Sequence, residues 1–345
     1  MQPAAAEPAS IDDAGTITVT ASRIADLAAA AARCQRGGCR TREDVAISVS
    51  YASALFDRGQ YLEAKRLLAA AVTRNRAAGP AEPLAVSQLY TAQATLAKHE
   101  GDQKIVRNAP SASRNLLTSH PGVPALARLT AEFRLGELEL RTGKFSGAET
   151  RFERVAAEAR AAGEADLADV ADLRRALTLA AMRRRADSHA LLETLAARTG
   201  PGADPVRRAA LATPATLAFV RGDRMAADGY MARLAAIAPG PEPLLVSEPP
   251  LPKPRAGGPV ALRWVDIGFW VKNDGRVEDV TILRGSNTLD WAQALVTYIA
   301  SRRYSAFDPG AGSARTGTLA GRYRVERYTL TADYGVGVGN LIRHR

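Results

Sequence analysis

Two cysteines, four histidines and 19 aromatic residues are few for a chain of 345 residues, and each scarcity removes a class of function. His99, His120, His189 and His344 are scattered, with no pair four apart of the kind that builds a zinc-binding helix. Cys34 and Cys39 have no histidine near them, so a four-ligand zinc site is out of reach. No glycine-rich loop runs into Lys-Ser or Lys-Thr, which excludes a phosphate-binding loop, and no GxSxG nucleophile elbow is present. Asp166, Asp169 and Asp172 lie three apart on one helix, a spacing that reads as a solvated face rather than an acid/base pair. Nothing points to an enzyme, and no cofactor or metal is expected.

Long apolar runs are missing too. The longest, such as Leu67 to Val72, fall far short of the roughly 20 residues that span a bilayer, so no membrane span is expected. The start, Met1-Gln2-Pro3-Ala4-Ala5-Ala6, lacks the basic and apolar regions of a signal peptide. A polar Ala/Pro-rich start is also what a secreted chain shows once its signal has been removed, and a cytosolic chain with a disordered tail fits this feature equally well. Cys34-Gln-Arg-Gly-Gly-Cys39 is not a CxxC redox motif. Its two glycines let the chain reverse, and a disulfide there implies an oxidising compartment; two idle thiols are the other reading.

The formal net charge is +10, but with 24% charged residues this is a weak argument for nucleic acid, and none is expected as a partner. Composition divides the chain. Residues 251–345 hold 10 of the 19 aromatics, all three tryptophans, and 14 Lys+Arg against 8 Asp+Glu, a net of +6. The Ala-rich remainder carries the other +4.

That remainder repeats. Tyr51 to Leu68 and Phe133 to Phe152 each show an apolar helix ending at a glycine (Gly59, Gly143), an aromatic two residues later (Tyr61, Phe145) and an alanine three beyond (Ala64, Ala148). Weaker copies centre on Gly101-Asp102 and Gly222-Asp223. The turns fall 42, 42 and 79 residues apart, and a fifth, glycine-free turn is predicted near Arg183-Arg184-Arg185 to complete the period. A glycine ends one helix in the left-handed conformation and a small alanine lets the next approach closely. About five such hairpins stack into a solenoid. The pattern resembles the tetratricopeptide repeat family, best in 51–75 and 131–160, although the period exceeds that family's usual one.

Eight prolines between Pro239 and Pro259 predict an extended, semi-rigid spacer. Beyond it, Val265, Ile267, Phe269 and Val271 alternate in a first strand, Asn273-Asp274-Gly275 signals a hairpin turn, and Arg276 to Leu283 form a second strand. A helix follows, capped at Asn287 or Thr288, with Leu289, Ala292, Leu295 and Ile299 at helical spacing. The last strand runs over 321–332, with Tyr323, Val325 and Arg327 on one face. The predicted fold class is thus α+β and multidomain: an extended, disordered segment over 1–23, an all-α helical-hairpin solenoid over 24–238, a linker over 239–260, a small ββαβ domain over 261–335 and a tail over 336–345.

The order ββαβ, with Val277-Glu278-Asp279-Val280-Thr281-Ile282, Gly285-Ser286, Leu289-Asp290 and Arg303-Tyr304-Ser305-Ala306-Phe307, resembles the TonB C-terminal domain over about Trp264 to Tyr334. The resemblance implies that the last strand is an exposed edge to which an outer-membrane receptor adds an extended segment. Arg322, Tyr323, Arg324, Val325, Glu326, Arg327, Tyr328, Thr329 and Leu330 are then the candidate docking residues, with the arginines also discouraging indiscriminate pairing. Thr16, Ile17, Thr18, Val19, Thr20 and Ala21 resemble the TonB box of such receptors, so box and docking module would share one chain and could pair in cis or between copies. The functional expectation is a periplasmic, non-enzymatic interaction protein, its signal removed. It would bind a protein or peptide such as a TonB-dependent receptor, with a homo-oligomer through the edge strand as a further option. The alternative is an energy transducer whose membrane anchor lies outside this sequence.

Overall fold

The computed structural model describes residues 21–200, 202–249, 251–252, 262–286, 289–308, 321–331 and 335–338. Thr16 to Thr20 and the predicted cap Asn287–Thr288 lie outside these residues. The described chain is mostly helical, with a small antiparallel sheet at its C-terminal end.

A first helix, α1 (Ala21–Gln35), leads into ten more: α2 (Thr41–Asp57), α3 (Tyr61–Asn75), α4 (Pro83–Glu100), α5 (Gln103–Thr118), α6 (Ala125–Arg141), α7 (Phe145–Ala161), α8 (Ala165–Ala181), α9 (Arg185–Ala196), α10 (Ala203–Val220) and α11 (Arg224–Ala235). From α2 onward they pair into five hairpins. Gly59, Gly101, Gly143 and Gly222 hold the turns with φ of 75–76°, and Arg183 holds the fifth with φ 63°. The geometry of the turn is fixed by the hairpin, so the chain adopts it even where no glycine is available. At the two Gly-Asp turns the aspartate caps the following helix: Asp102 accepts from Ile105 N–H and Asp223 from Ala226 N–H, each at 3.1 Å.

The predicted close-approach alanines, Ala64 and Ala148, are fully buried. At Gly136 the packing is tighter still, since a Cβ there would stand 2.7 Å from the Phe152 ring. Charged groups inside the array are paired. Asp44 accepts from Ser48, Arg74 and Asn75, and Glu132 takes Arg114, Arg151 and Arg154 at once. At the α1–α2 corner Cys34 and Cys39 form a disulfide, with Cα atoms 4.8 Å apart. Of the two readings left open by the sequence, the bonded one holds. No helix among the described residues is long and apolar enough to cross a membrane.

The C-terminal unit contains β1 (Leu245–Ser247), β2 (Arg263–Lys272), β3 (Val277–Gly285), α12 (Gln293–Ala300), β4 (Arg303–Tyr304), β5 (Gly321–Thr331) and β6 (Gly335–Val338). The sheet order is β3-β2-β5-β6, all antiparallel, while β1 pairs separately with β4. Val265, Ile267, Phe269 and Val271 alternate into a fully buried core with Leu295, Ile299, Tyr328 and Leu330. Gly275 makes the predicted hairpin turn, and a Cβ on it would collide with the Tyr304 carbonyl.

Two expectations need correction. The proline-rich stretch does not act as a spacer over its described part. Leu244 exchanges backbone and side-chain hydrogen bonds with Ser305, Leu245 lies opposite Tyr304, and Val246 is buried against α10. The apolar triplet Leu244-Leu245-Val246 supplies the burial that the flanking prolines cannot. Second, the sheet does not end at β5: Gly335–Val338, expected to straddle the domain end and the tail, form a further strand on it.

Arg183 is a side-chain-bearing residue in a conformation that costs an L-residue roughly 1 kcal/mol. Glycine relieves this strain but adds unfolded-chain entropy of roughly 0.5–1 kcal/mol, so Arg183→Gly is expected to be at least as stable as the parent chain in denaturant unfolding; a lowered midpoint would show that the turn is unstrained.

Candidate functional site

Along β5 the side chains alternate between two faces. Arg322, Arg324, Glu326, Tyr328 and Leu330 lie on the face that carries α12, and Tyr323, Val325, Arg327 and Thr329 on the opposite one. The second face meets the helical array at one end, and Arg327 is the centre of that meeting. Its guanidinium forms a bidentate pair with Asp266 on β2, at 2.6 and 2.7 Å, and also donates to the carbonyls of Phe56 and, at 2.8 Å, Asp57. The cation lies 4.2 Å from the Trp264 ring centroid and 5.1 Å from that of Phe56. The two carbonyls belong to the last turn of α2, where the Phe56 carbonyl also accepts from the Gly59 N–H at 2.8 Å and the dipole favours a cation.

Around this pair the fit is close. Trp264 lies against Gly59, so that a Cβ there would be 2.2 Å from the indole nitrogen. Thr329 Oγ1 is 3.1 Å from His99 Nδ1 on α4, and the His99 ring stands edge-on to Phe56. Burial, reinforced by Arg327 and Lys98, pushes the His99 pKa down to about 4. At the other end of the array Arg208 on α10 donates to Ser305 Oγ, to the Ala306 carbonyl and to the Ala238 carbonyl. The sheet unit thus bridges the first hairpins and the last.

The expected docking residues divide accordingly. Arg327, Tyr328, Thr329 and Leu330 are buried, and the backbone of 328–331 pairs with β6. These four are structural where they stand, and Arg327 in particular is no solvent-facing guard of the edge. Glu326 is held bidentately by Arg302, at 2.9 and 3.0 Å. Over Gly321–Arg327, no strand among the described residues pairs with the outer side of β5. Here Arg322, Tyr323, Arg324 and Val325 are partly exposed. Arg322 and Arg324 converge on one carboxylate, Glu242, at 2.8 and 3.6 Å. The opposite sheet edge, β3, is irregular, with two register shifts against β2 and Asp279 at φ 53°, features that discourage strand addition.

Of the residues resembling a TonB box, Ala21 begins α1 and the rest lie outside the described residues. The sequence reading missed Trp264, Asp266, His99 and Arg208 as joining residues. Their partners are up to 230 positions away, and no local pattern marks them.

The class defined by this architecture is an array of helical hairpins closed by a small antiparallel sheet. No protein-family model matches the chain, and no curated protein matches it. Among solved structures, BtubC (BKLC) from P. vanneervenii is similar, with a TM-score of 0.50 and 15% identity over 70% of this chain and 98% of that one. At that identity the likeness concerns the fold alone.

Two outcomes follow from the buried cluster. Arg327→Ala leaves Asp266 with Arg284 alone and removes the guanidinium from the Phe56 and Asp57 carbonyls, and is expected to lower unfolding free energy by about 3 kcal/mol. His99 is neutral in the folded chain above about 4 but takes up a proton near 6.5 when unfolded. Stability is then fully present above pH 6.5 and declines as pH falls toward 4, by up to about 3 kcal/mol, in a step that His99→Gln removes from the pH profile of unfolding.

Proposed function

We propose that this chain is a periplasmic, non-enzymatic interaction protein, a tetratricopeptide-like scaffold carrying a TonB-C-terminal-like module that takes up an extended strand of a partner by β-augmentation. The observation that carries the reading is the outer side of β5 over Gly321–Arg327, which no described strand covers. Its backbone groups are presented in a regular ten-residue register with β2, and its side chains are only partly exposed. The disulfide agrees with an oxidising compartment. An outer-membrane receptor is the partner that the sequence resemblance suggests.

The alternative, an energy transducer, requires a module that can travel toward its receptor while anchored elsewhere. Here the module is tied to the array at Arg327 and at Arg208, which favours a fixed adaptor. A photo-crosslinking amino acid in place of Tyr323, in cells of the source organism, is expected to capture an envelope protein through an extended segment. The same probe at Thr281, on β3, should capture none. Exclusive capture of cytosolic proteins, or equal capture from both edges, would overturn the reading.

A further inference from the structure

We infer that the open part of β5 selects extended segments in which acidic residues alternate with apolar ones. The acids would be held by Arg322 and Arg324, and the apolar side chains laid beside Tyr323 and Val325. The inference rests on the reading of β5 as a docking edge and gives that edge a chemical preference.

The two arginines are not merely exposed charge. They sit two positions apart on the same face, and Glu242 shows that both guanidiniums reach one carboxylate. Arg324 is further positioned by the Tyr304 ring, 5.3 Å from the guanidinium, and by the Pro243 carbonyl, to which it donates at 3.3 Å. Among the described residues, two cations sharing one carboxylate leave one positive charge uncompensated, beside backbone that no described strand pairs with. The next acid along the strand, Glu326, cannot supply the balance because Arg302 holds both its oxygens. In an antiparallel addition, the residue directly opposite each β5 position projects to the same face, with Cβ atoms about 5 Å apart. The residues opposite Arg322 and Arg324 are therefore two apart in the partner, and acids at those places complete the charge.

The other face asks for the reverse. Tyr323 packs its ring 5.2 Å from that of Trp270 and folds its hydroxyl over Gly268, and Val325 beside it on the same face is partly exposed. An incoming strand lays its intervening side chains next to this partly covered apolar surface, where polar ones would lose water without gaining a partner. The same alternation that sorts β5 into a basic face and an apolar face thus specifies an acidic/apolar alternation in what binds it.

The test uses the full chain and three fluorescent decapeptides with valine at alternate positions. The residues between are two central aspartates in one peptide, lysines in the second and serines in the third, with serine elsewhere. Anisotropy titrations are expected to rank aspartate tightest, about fivefold over serine, with lysine weakest and the aspartate advantage shrinking in high salt. Arg322→Glu/Arg324→Glu should invert the order of the aspartate and lysine peptides. Glu242→Gln, which frees both guanidiniums, should tighten the aspartate peptide and leave the serine peptide unchanged. Equal affinity for all three overturns the charge preference but leaves the docking edge standing. Binding of none overturns the docking edge itself, and dimerisation in the same samples would then assign the edge to a second copy.

Discussion

Arg327 is fully buried, and only the groups it meets make that tolerable. A guanidinium removed from water carries a desolvation cost of several kcal/mol, repaid only when its donors and its charge are all matched. Asp266 supplies the charge, the C-terminal end of α2 supplies two carbonyls, and two aromatic faces cover what is left. These groups come from opposite parts of the molecule, so the arginine is satisfied only when the sheet sits on the helices in this one position. The interaction specifies placement more than it adds stability, since an apolar contact of similar area would hold the parts together without fixing their register.

The second attachment, at Arg208, works by the same chemistry with neutral partners. Its guanidinium reads three oxygens, from Ala238, Ser305 and Ala306, and so ties the end of the helical array both to the chain leaving it and to the turn after β4. Between the two attachments the polypeptide of 244–247 is stitched to β4 and to α10. Five hairpins held at both ends by a rigid sheet cannot flex as an open solenoid does. The edge of β5 is consequently presented at a fixed position relative to the array. Because the described part of β6 stops opposite Tyr328, the length of that edge that no described strand covers runs outward from the helix contact at Arg327 to Gly321.

What the sequence disclosed followed the range over which each feature is decided. The turns were legible because a glycine, or three successive arginines in its place, interrupts each apolar period, and a hairpin turn is settled within a few residues. Period-two alternation in 265–271 located the buried face of β2 for the same reason, and the grouping of Tyr323, Val325 and Arg327 on one face was also correct. The role of Arg327 was not legible. In a strand it reads as a charged edge residue, and only the carbonyls of Phe56 and Asp57 reveal why it is inside. Prolines misled in the opposite direction: their density argued for a spacer, while the three apolar residues among them decided the outcome. The β5 edge was recognised as a strand, but its division into a buried half and an open half depends on β6, whose Gly-Val-Gly-Val composition carries little strand signal of its own.

Gly59 has the same backbone conformation as the glycines of the other turns, yet the indole of Trp264 fills the space beside it. The hairpins look interchangeable when judged by their turns, and repeat arrays commonly gain, lose and exchange units. The α2–α3 hairpin is outside that commerce. Its turn has to be glycine for the neighbour as well as for the fold, and its last carbonyls are committed to the sheet. A duplication, deletion or consensus redesign that treats it as one repeat among five would remove the socket on which the C-terminal unit is seated. With the last hairpin held to the same unit through Arg208, the number of hairpins between the two attachments is fixed as well.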